Sequence, residues 1–303
     1  MTSRHLALVG TTASGKSALA LAIARAHPDV ELVSVDSMQV YRGMDIGTAK
    51  PTRTEQGEVR HHLIDIADPA DEFTVACFQR AFEAAIAEIE ARGHRALLVG
   101  GTGLYLRAVI DGLAIPARYP NVVEQLEGIA TSDLHERLRE HDPIAATRME
   151  PNNRRRIVRA LEVTIGSGNP FSSYGPGLET YPPTAFRLIG VALPPAVVAR
   201  RIEARFRDQV AAGFVDEVRE LVSRDRPLSR TAAQALGYRE LLDHVRGEAA
   251  LDEAVGRAVT RTRQFARRQR SWFRRDPRIQ WLLSNETPEE VLPSLERVVA
   301  GQT

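Results

Sequence analysis

The stretch Gly10-Thr11-Thr12-Ala13-Ser14-Gly15-Lys16-Ser17 spaces two glycines, a lysine and a hydroxyl in the pattern that cradles phosphate. Glycines let backbone N–H groups converge on phosphate oxygens at a helix N-terminus, Lys16 neutralises charge, and the Ser17 hydroxyl suits Mg²⁺. The pattern has chemical meaning only between a strand and a helix. Residues 6–9 form an apolar run and residues 18–24 are rich in Ala and Leu, so that setting is met and a phosphorylated ligand is expected.

A second chemical group follows. The apolar run 31–35 ends in Asp36-Ser37, and in a doubly wound sheet the carboxyl ends of neighbouring strands open onto one crevice. Asp36 is therefore a candidate general base facing whatever the glycine-rich loop holds. Asp-Ser pairs also form turns and helix caps, and that alternative stays open. The polar, glycine-containing stretch 39–51 after it is the kind of loop that serves a ligand. The run 96–99 ends in Gly100-Gly101-Thr102-Gly103, without the aspartate that organises Mg²⁺ and water in many nucleotide-hydrolysing proteins, which argues against a motor or switch GTPase. Thr102 is expected to bridge the ligand and Asp36. Arg201, Arg205 and Arg207 follow a further apolar run, and one of them is expected to clamp a phosphate.

These groups need a frame. Strand-like runs at 5–9, 31–35, 95–99 and 186–192 alternate with helical stretches near 15–26, 74–92 and 194–212, which predicts an α/β fold: a P-loop NTPase-like parallel sheet with helices on both faces. From 113 to 183 the pattern changes to short polar helices, 134–140 and 154–165, expected to form a small helical insertion domain between core segments 1–112 and 184–303. Periodicity predicts helices at 214–222, 231–246 and 251–275 and a last edge strand at 278–283.

With 303 residues and 43% hydrophobic content, the chain can bury a sizeable core. The single cysteine, Cys77, excludes an internal disulfide and is expected to be a small buried side chain. The loop begins too early for a secretion signal, and no run suits a membrane span. A cytoplasmic monomer with no membrane partner is expected. The net charge of +1 conceals segregation. Between Arg257 and Arg278 nine arginines face one carboxylate, Asp276. Arg263, Arg267, Arg270 and Arg274 share a helix face, while Phe265 and Trp272 are expected as core anchors. A second cluster comprises Arg154, Arg155, Arg156 and Arg159. Two such patches suit a polyanion larger than a nucleotide. A small-molecule or nucleotide kinase would also use such a loop, a base aspartate and lid arginines; the missing carboxylate after residue 99 disfavours it.

Together these residues resemble the tRNA dimethylallyltransferase family. The matching landmarks are 10–17, Asp36-Ser37 with 43–51, 100–105, 156–163, 234–239, 262–269 and 272–274. The resemblance implies transfer of a dimethylallyl group from dimethylallyl diphosphate to N6 of the adenosine beside the anticodon of tRNA. It implies Asp36, Thr102 and Arg205 as catalytic residues and Gly10 to Ser17 as the diphosphate site, with Mg²⁺ reached through Ser17. Contacts to the anticodon stem-loop are implied for Asp36, Ser37, Met38, Gln39, Thr102, Arg155, Arg156, Arg159, Gln234, Gly237, Tyr238 and Arg239, with Arg267, Arg270 and Arg274 on phosphates. Thr11 stands where the family usually has proline, Asn153 and Arg155 where it has aspartate and glutamine, and Val123 where arginine is frequent.

Overall fold

The computed structural model describes residues 5–301. In chain order the elements are β1 (His5–Gly10), α1 (Lys16–Ala26), β2 (Val30–Val35), α2 (Arg53–Glu58), β3 (His61–His62), α3 (Val75–Ala91), β4 (Arg95–Gly100) and α4 (Gly103–Ile110). Then come α5 (Pro120–Gln125), α6 (Thr131–His141), α7 (Pro143–Thr147) and α8 (Arg154–Ser167). The chain continues through β5 (Phe186–Ala192), α9 (Pro195–Ala211), α10 (Phe214–Val222), α11 (Arg230–Ala233), α12 (Tyr238–Val245), α13 (Leu251–Arg274), β6 (Gln280–Leu283) and α14 (Leu292–Val299).

The chain divides into two compact units, one formed by the segments up to Ile110 and from Pro183, the other by Asp111–Pro182. The larger unit holds a parallel sheet in the order β3-β2-β4-β1-β5-β6. All six residues of β1 are buried, which is why this central strand reads as an unbroken apolar run. The smaller unit has its own core, with Leu134 and Leu138 of α6 against Ile157, Ala160 and Leu161 of α8.

Three sequence expectations are revised. The helix expected over 231–246 is broken into α11 and α12 because Gly237 adopts φ 86°, a left-handed conformation that ends helical propagation. Cys77 is partly exposed in the first turn of α3, where its N–H bonds the Thr74 cap. Of the two expected aromatic anchors on α13, Trp272 is only partly buried against the core and Phe265 lies beside the Arg268 guanidinium, while Phe273 is the fully buried ring. β3 went unforeseen because two residues carry no alternation.

The amino ends of the strands are tied by a buried carboxylate. Glu31 of β2 accepts both arms of Arg92 at 2.8 Å and meets His62 Nε2 at 2.6 Å and His94 Nδ1 at 2.7 Å. Burial pushes the Glu31 carboxyl up, but hydrogen bonds from Arg92, His62 and His94 outweigh it and hold the pKa at about 2 against an ordinary 4.5. A depressed carboxyl stabilises the fold above its unfolded pKa, and the contribution is lost as pH falls from 4.5 towards 2. Glu31→Gln should therefore lower the unfolding free energy at neutral pH by about 3 kcal/mol. Urea denaturation across that acid range should show the variant losing less stability than the parent; parallel losses would assign acid sensitivity elsewhere.

Candidate active site

β1 delivers Gly10 to the carboxyl edge of the sheet, and the chain then turns through Ala13 at φ 60° and Gly15 at φ 82° into α1. A side chain at Gly15 would collide with the Pro288 ring as well as strain the backbone. The Ser14 N–H and Lys16 Nζ both donate to the Thr11 carbonyl at 3.2 Å. Arg201 Nε holds the loop from α9 by donating to the Ala13 carbonyl at 2.9 Å. No side chain caps α1 and its first turn carries no acid, so the helix N-terminus presents amides and positive dipole to an anion. The Ser14 hydroxyl is buried without a hydrogen-bond partner, and Ser17 is exposed on the first turn.

Three charges converge beside this loop. Burial pulls the Lys16 pKa down to about 8, Asp36 pushes it back up, and Arg205 lowers it further. Burial likewise lowers Arg205, opposed by Asp36 and reinforced by Arg201. Asp36 therefore sits within electrostatic reach of both cations. Among the three candidate arginines, Arg205 has a buried Nε without a partner, Arg201 supports the loop and Arg207 is exposed.

Asp36 also forms the turn that its residue type allowed: Oδ1 accepts Met38 N–H at 2.8 Å and Gln39 N–H at 3.4 Å, which leaves Oδ2 for chemistry. The Thr102 hydroxyl does not reach the carboxylate; it accepts the Ser37 N–H at 3.3 Å and so positions Asp36 through the backbone.

Four expected RNA contacts are recast. The Gln39 amide is spent within the protein, accepting Ser34 Oγ at 2.8 Å and donating to the Thr48 and Ala49 carbonyls at 3.1 and 3.2 Å. Tyr238 has no exposed surface, and its hydroxyl donates to Glu217 at 2.5 Å; Gly237 is buried against Phe214. Glu217 in turn accepts the N–H groups of Asp45, Ile46 and Gly47 at 2.8, 2.7 and 3.2 Å, which fixes the loop after Asp36. Arg159 donates to the Pro116 and Ala117 carbonyls and pairs with buried Glu162 at 2.8 Å, so it braces the helical unit. Nothing in residue type or spacing marked Glu217; only its distant partners reveal it.

Met38 is partly buried against the core, while Gln234, Arg239, Arg155 and Arg156 are exposed. Asn153 caps α8 by accepting the Arg156 N–H at 3.3 Å, a task aspartate performs equally well. On α13, Arg263 pairs with Glu203, whereas Arg267, Arg270 and Arg274 pair with no carboxylate among the described residues. These three line a cleft of about 550 Å³ bounded by Thr11, Ile202 and Trp281. Gln269, unassigned from sequence, bonds Thr12 N–H at 2.8 Å and the Gly101 carbonyl at 2.9 Å.

A sequence model of the IPP transferase family matches residues 39–276. The chain is 46% identical over 287 residues to a tRNA dimethylallyltransferase of Geobacter metallireducens, covering 92% of each. It is 49% identical over 282 residues to one of Roseiflexus castenholzii, covering 90% of each. The crystal structure of the full-length tRNA isopentenylpyrophosphate transferase of Bacillus halodurans matches with a TM-score of 0.72 at 35% identity, covering 99% of this chain and 96% of that one.

Lys16 carries its full charge only below a pKa of about 8, so affinity for inorganic diphosphate should gain less from added diphosphate charge above that pH than it does in Lys16→Arg. Titration calorimetry of the two proteins across that pH range checks this; superimposable pH profiles would remove Lys16 from the anion site. Arg205→Gln should weaken the same binding by about tenfold or more.

Proposed function

The chain belongs to the IPP transferase family, and from that premise we infer that it transfers the dimethylallyl group of dimethylallyl diphosphate to N6 of the adenosine 3′-adjacent to the anticodon in tRNA, releasing diphosphate. The observation that carries the mechanism is the convergence of Asp36 with Lys16 and Arg205 beside the phosphate loop. The allylic C–O bond breaks and its electron pair leaves on diphosphate, while the amine nitrogen forms the new C–N bond. Charge therefore grows on the departing group, where Lys16, Arg205 and the amides at the start of α1 stabilise it. The amine becomes acidic only as the C–N bond forms, and the free Oδ2 of Asp36 takes that proton. Thr102 holds the Ser37 backbone and through it the orientation of Asp36.

Mg²⁺ fits this donor set. Among the described residues no group of three or more His, Cys, Asp or Glu could hold a metal, and Mg²⁺ commonly keeps waters and substrate phosphate oxygens with few protein ligands. Ser17 would supply a hydroxyl, and the bound ion would neutralise leaving-group charge.

The adenosine must be splayed from its loop, at a cost of a few kcal/mol offset by contacts to flanking RNA. Arg155, Arg156, Gln234 and Arg239 offer exposed side chains for those contacts, and Arg267, Arg270 and Arg274 offer unpaired charge for phosphates. No helix among the described residues is long and apolar enough to cross a membrane; the reading is of a monomer acting in the cytoplasm.

Incubating the protein with Mg²⁺, dimethylallyl diphosphate and unmodified tRNA should yield prenylated adenosine by nucleoside mass spectrometry. ATP turnover without that product would return the reading to a kinase. Asp36→Asn keeps the acceptor for Met38 N–H but loses basicity, so turnover should fall by about a hundredfold or more with tRNA affinity unchanged; an equal loss of affinity would make Asp36 an RNA contact. Replacing Arg267, Arg270 and Arg274 by Gln should weaken tRNA binding and reduce the slope of log K against log salt by about 2. An unaltered slope would move RNA phosphates away from α13.

A further inference from the structure

Gln269 is 6% exposed, lies in the C-terminal part of α13, and joins two loops that the reaction needs in register. Its Oε1 accepts the Thr12 N–H at 2.8 Å, at the entrance of the phosphate loop after β1. Its Nε2 donates to the Gly101 carbonyl at 2.9 Å, in the loop after β4. Gly101 is followed by Thr102, whose hydroxyl accepts the Ser37 N–H beside Asp36. A side chain on Gly101 would collide with the Gln269 amide, so the amide rests directly on the backbone. A primary amide is suited to this place because one end accepts and the other donates; an ionised carboxylate offers no donor and an ammonium no acceptor.

We propose that Gln269 is a positioning residue that sets the spacing between the diphosphate cradle and the Thr102–Asp36 loop, an assignment that rests on the reaction read above. Strand pairing holds β1 beside β4 only as far as Gly100. Beyond that point the Gln269 side chain bonds both loops. The attacking nitrogen and the allylic carbon must meet at roughly 3–3.5 Å. One partner is anchored through the Thr12 side of this clamp and the proton acceptor through the Gly101 side. Loosening the clamp leaves each binding surface present but misplaces one reacting group against the other.

The test compares Gln269→Met and Gln269→Glu with the parent protein. Gln269→Met fills the space without either hydrogen bond; its kcat should fall by about tenfold or more while tRNA affinity is unchanged. Gln269→Glu retains an acceptor for Thr12 N–H and regains a donor only when its buried carboxyl is protonated. The ratio of its kcat to that of the parent should therefore rise as pH is lowered, whereas the ratio for Gln269→Met stays flat. Lys16, with its pKa of about 8, is common to all three proteins, so each profile is read as a ratio to the parent. Circular dichroism and thermal melts report folding, and if Gln269→Met fails to fold the pH-dependent ratio of Gln269→Glu decides. A flat ratio for Gln269→Glu, or parental kcat in a folded Gln269→Met, overturns the assignment alone. A parent protein that transfers no dimethylallyl group overturns the functional reading and this assignment with it.

Discussion

Two cations held in a water-poor cleft with too few anions around them define this molecule. Lys16 and Arg205 lose solvation, repel one another, and have Asp36 as their shared counter-charge. The Arg205 Nε and the Ser14 hydroxyl are buried with no partner. Unsatisfied buried donors are costly, and under the proposed function a multiply charged phosphate ligand would relieve the repulsion and the missing bonds together. In the proposed reaction the same imbalance would favour the departing diphosphate over the intact ester, since charge on the phosphate oxygens increases as the C–O bond breaks.

Maintaining that imbalance requires a rigid surround. The parallel sheet brings the carboxyl ends of β1, β2 and β4 together, but strands alone end before the chemistry starts. Side chains from later elements complete the frame. Arg201 of α9 braces the phosphate loop, Glu217 of α10 gathers three successive amides after Asp36, and Gln269 of α13 joins the β1 and β4 loops. Lys50 adds a further tie, donating to Asp45 and Asp65 at 2.6 and 2.5 Å. Each of these groups satisfies backbone or charge that would otherwise be stranded, and each reaches the site from a different part of the chain.

The arginines separate into two kinds by what their guanidinium groups meet. Arg92, Arg159 and Arg201 are committed to carboxylates or carbonyls within the protein. Arg155, Arg156, Arg267 and Arg274 are exposed, and the last two border the cleft that ends at Thr11. Planar guanidinium groups serve both purposes, since the same fork that brackets a carbonyl also brackets a phosphate. Composition therefore reported the amount of positive charge and its clustering, while its availability depended on three-dimensional neighbours.

Local physics made much of this protein legible in its sequence. The glycine spacing and lysine of residues 10–17, the unbroken apolar runs of a buried parallel sheet, and the shift to short polar helices near residue 113 each depend on contiguous residues. Asp36 could be placed beside the phosphate loop because parallel strands share a carboxyl edge. Long-range pairing decided the rest. The burial of Tyr238 under Glu217, the internal use of Gln39 and Arg159, the commitment of Arg201 to the Ala13 carbonyl, and the bridging amide of Gln269 depend on partners set by the fold. A polar side chain read alone shows what bonds it can make; whether a ligand or the protein itself uses them is set by which groups the fold brings within about 3 Å.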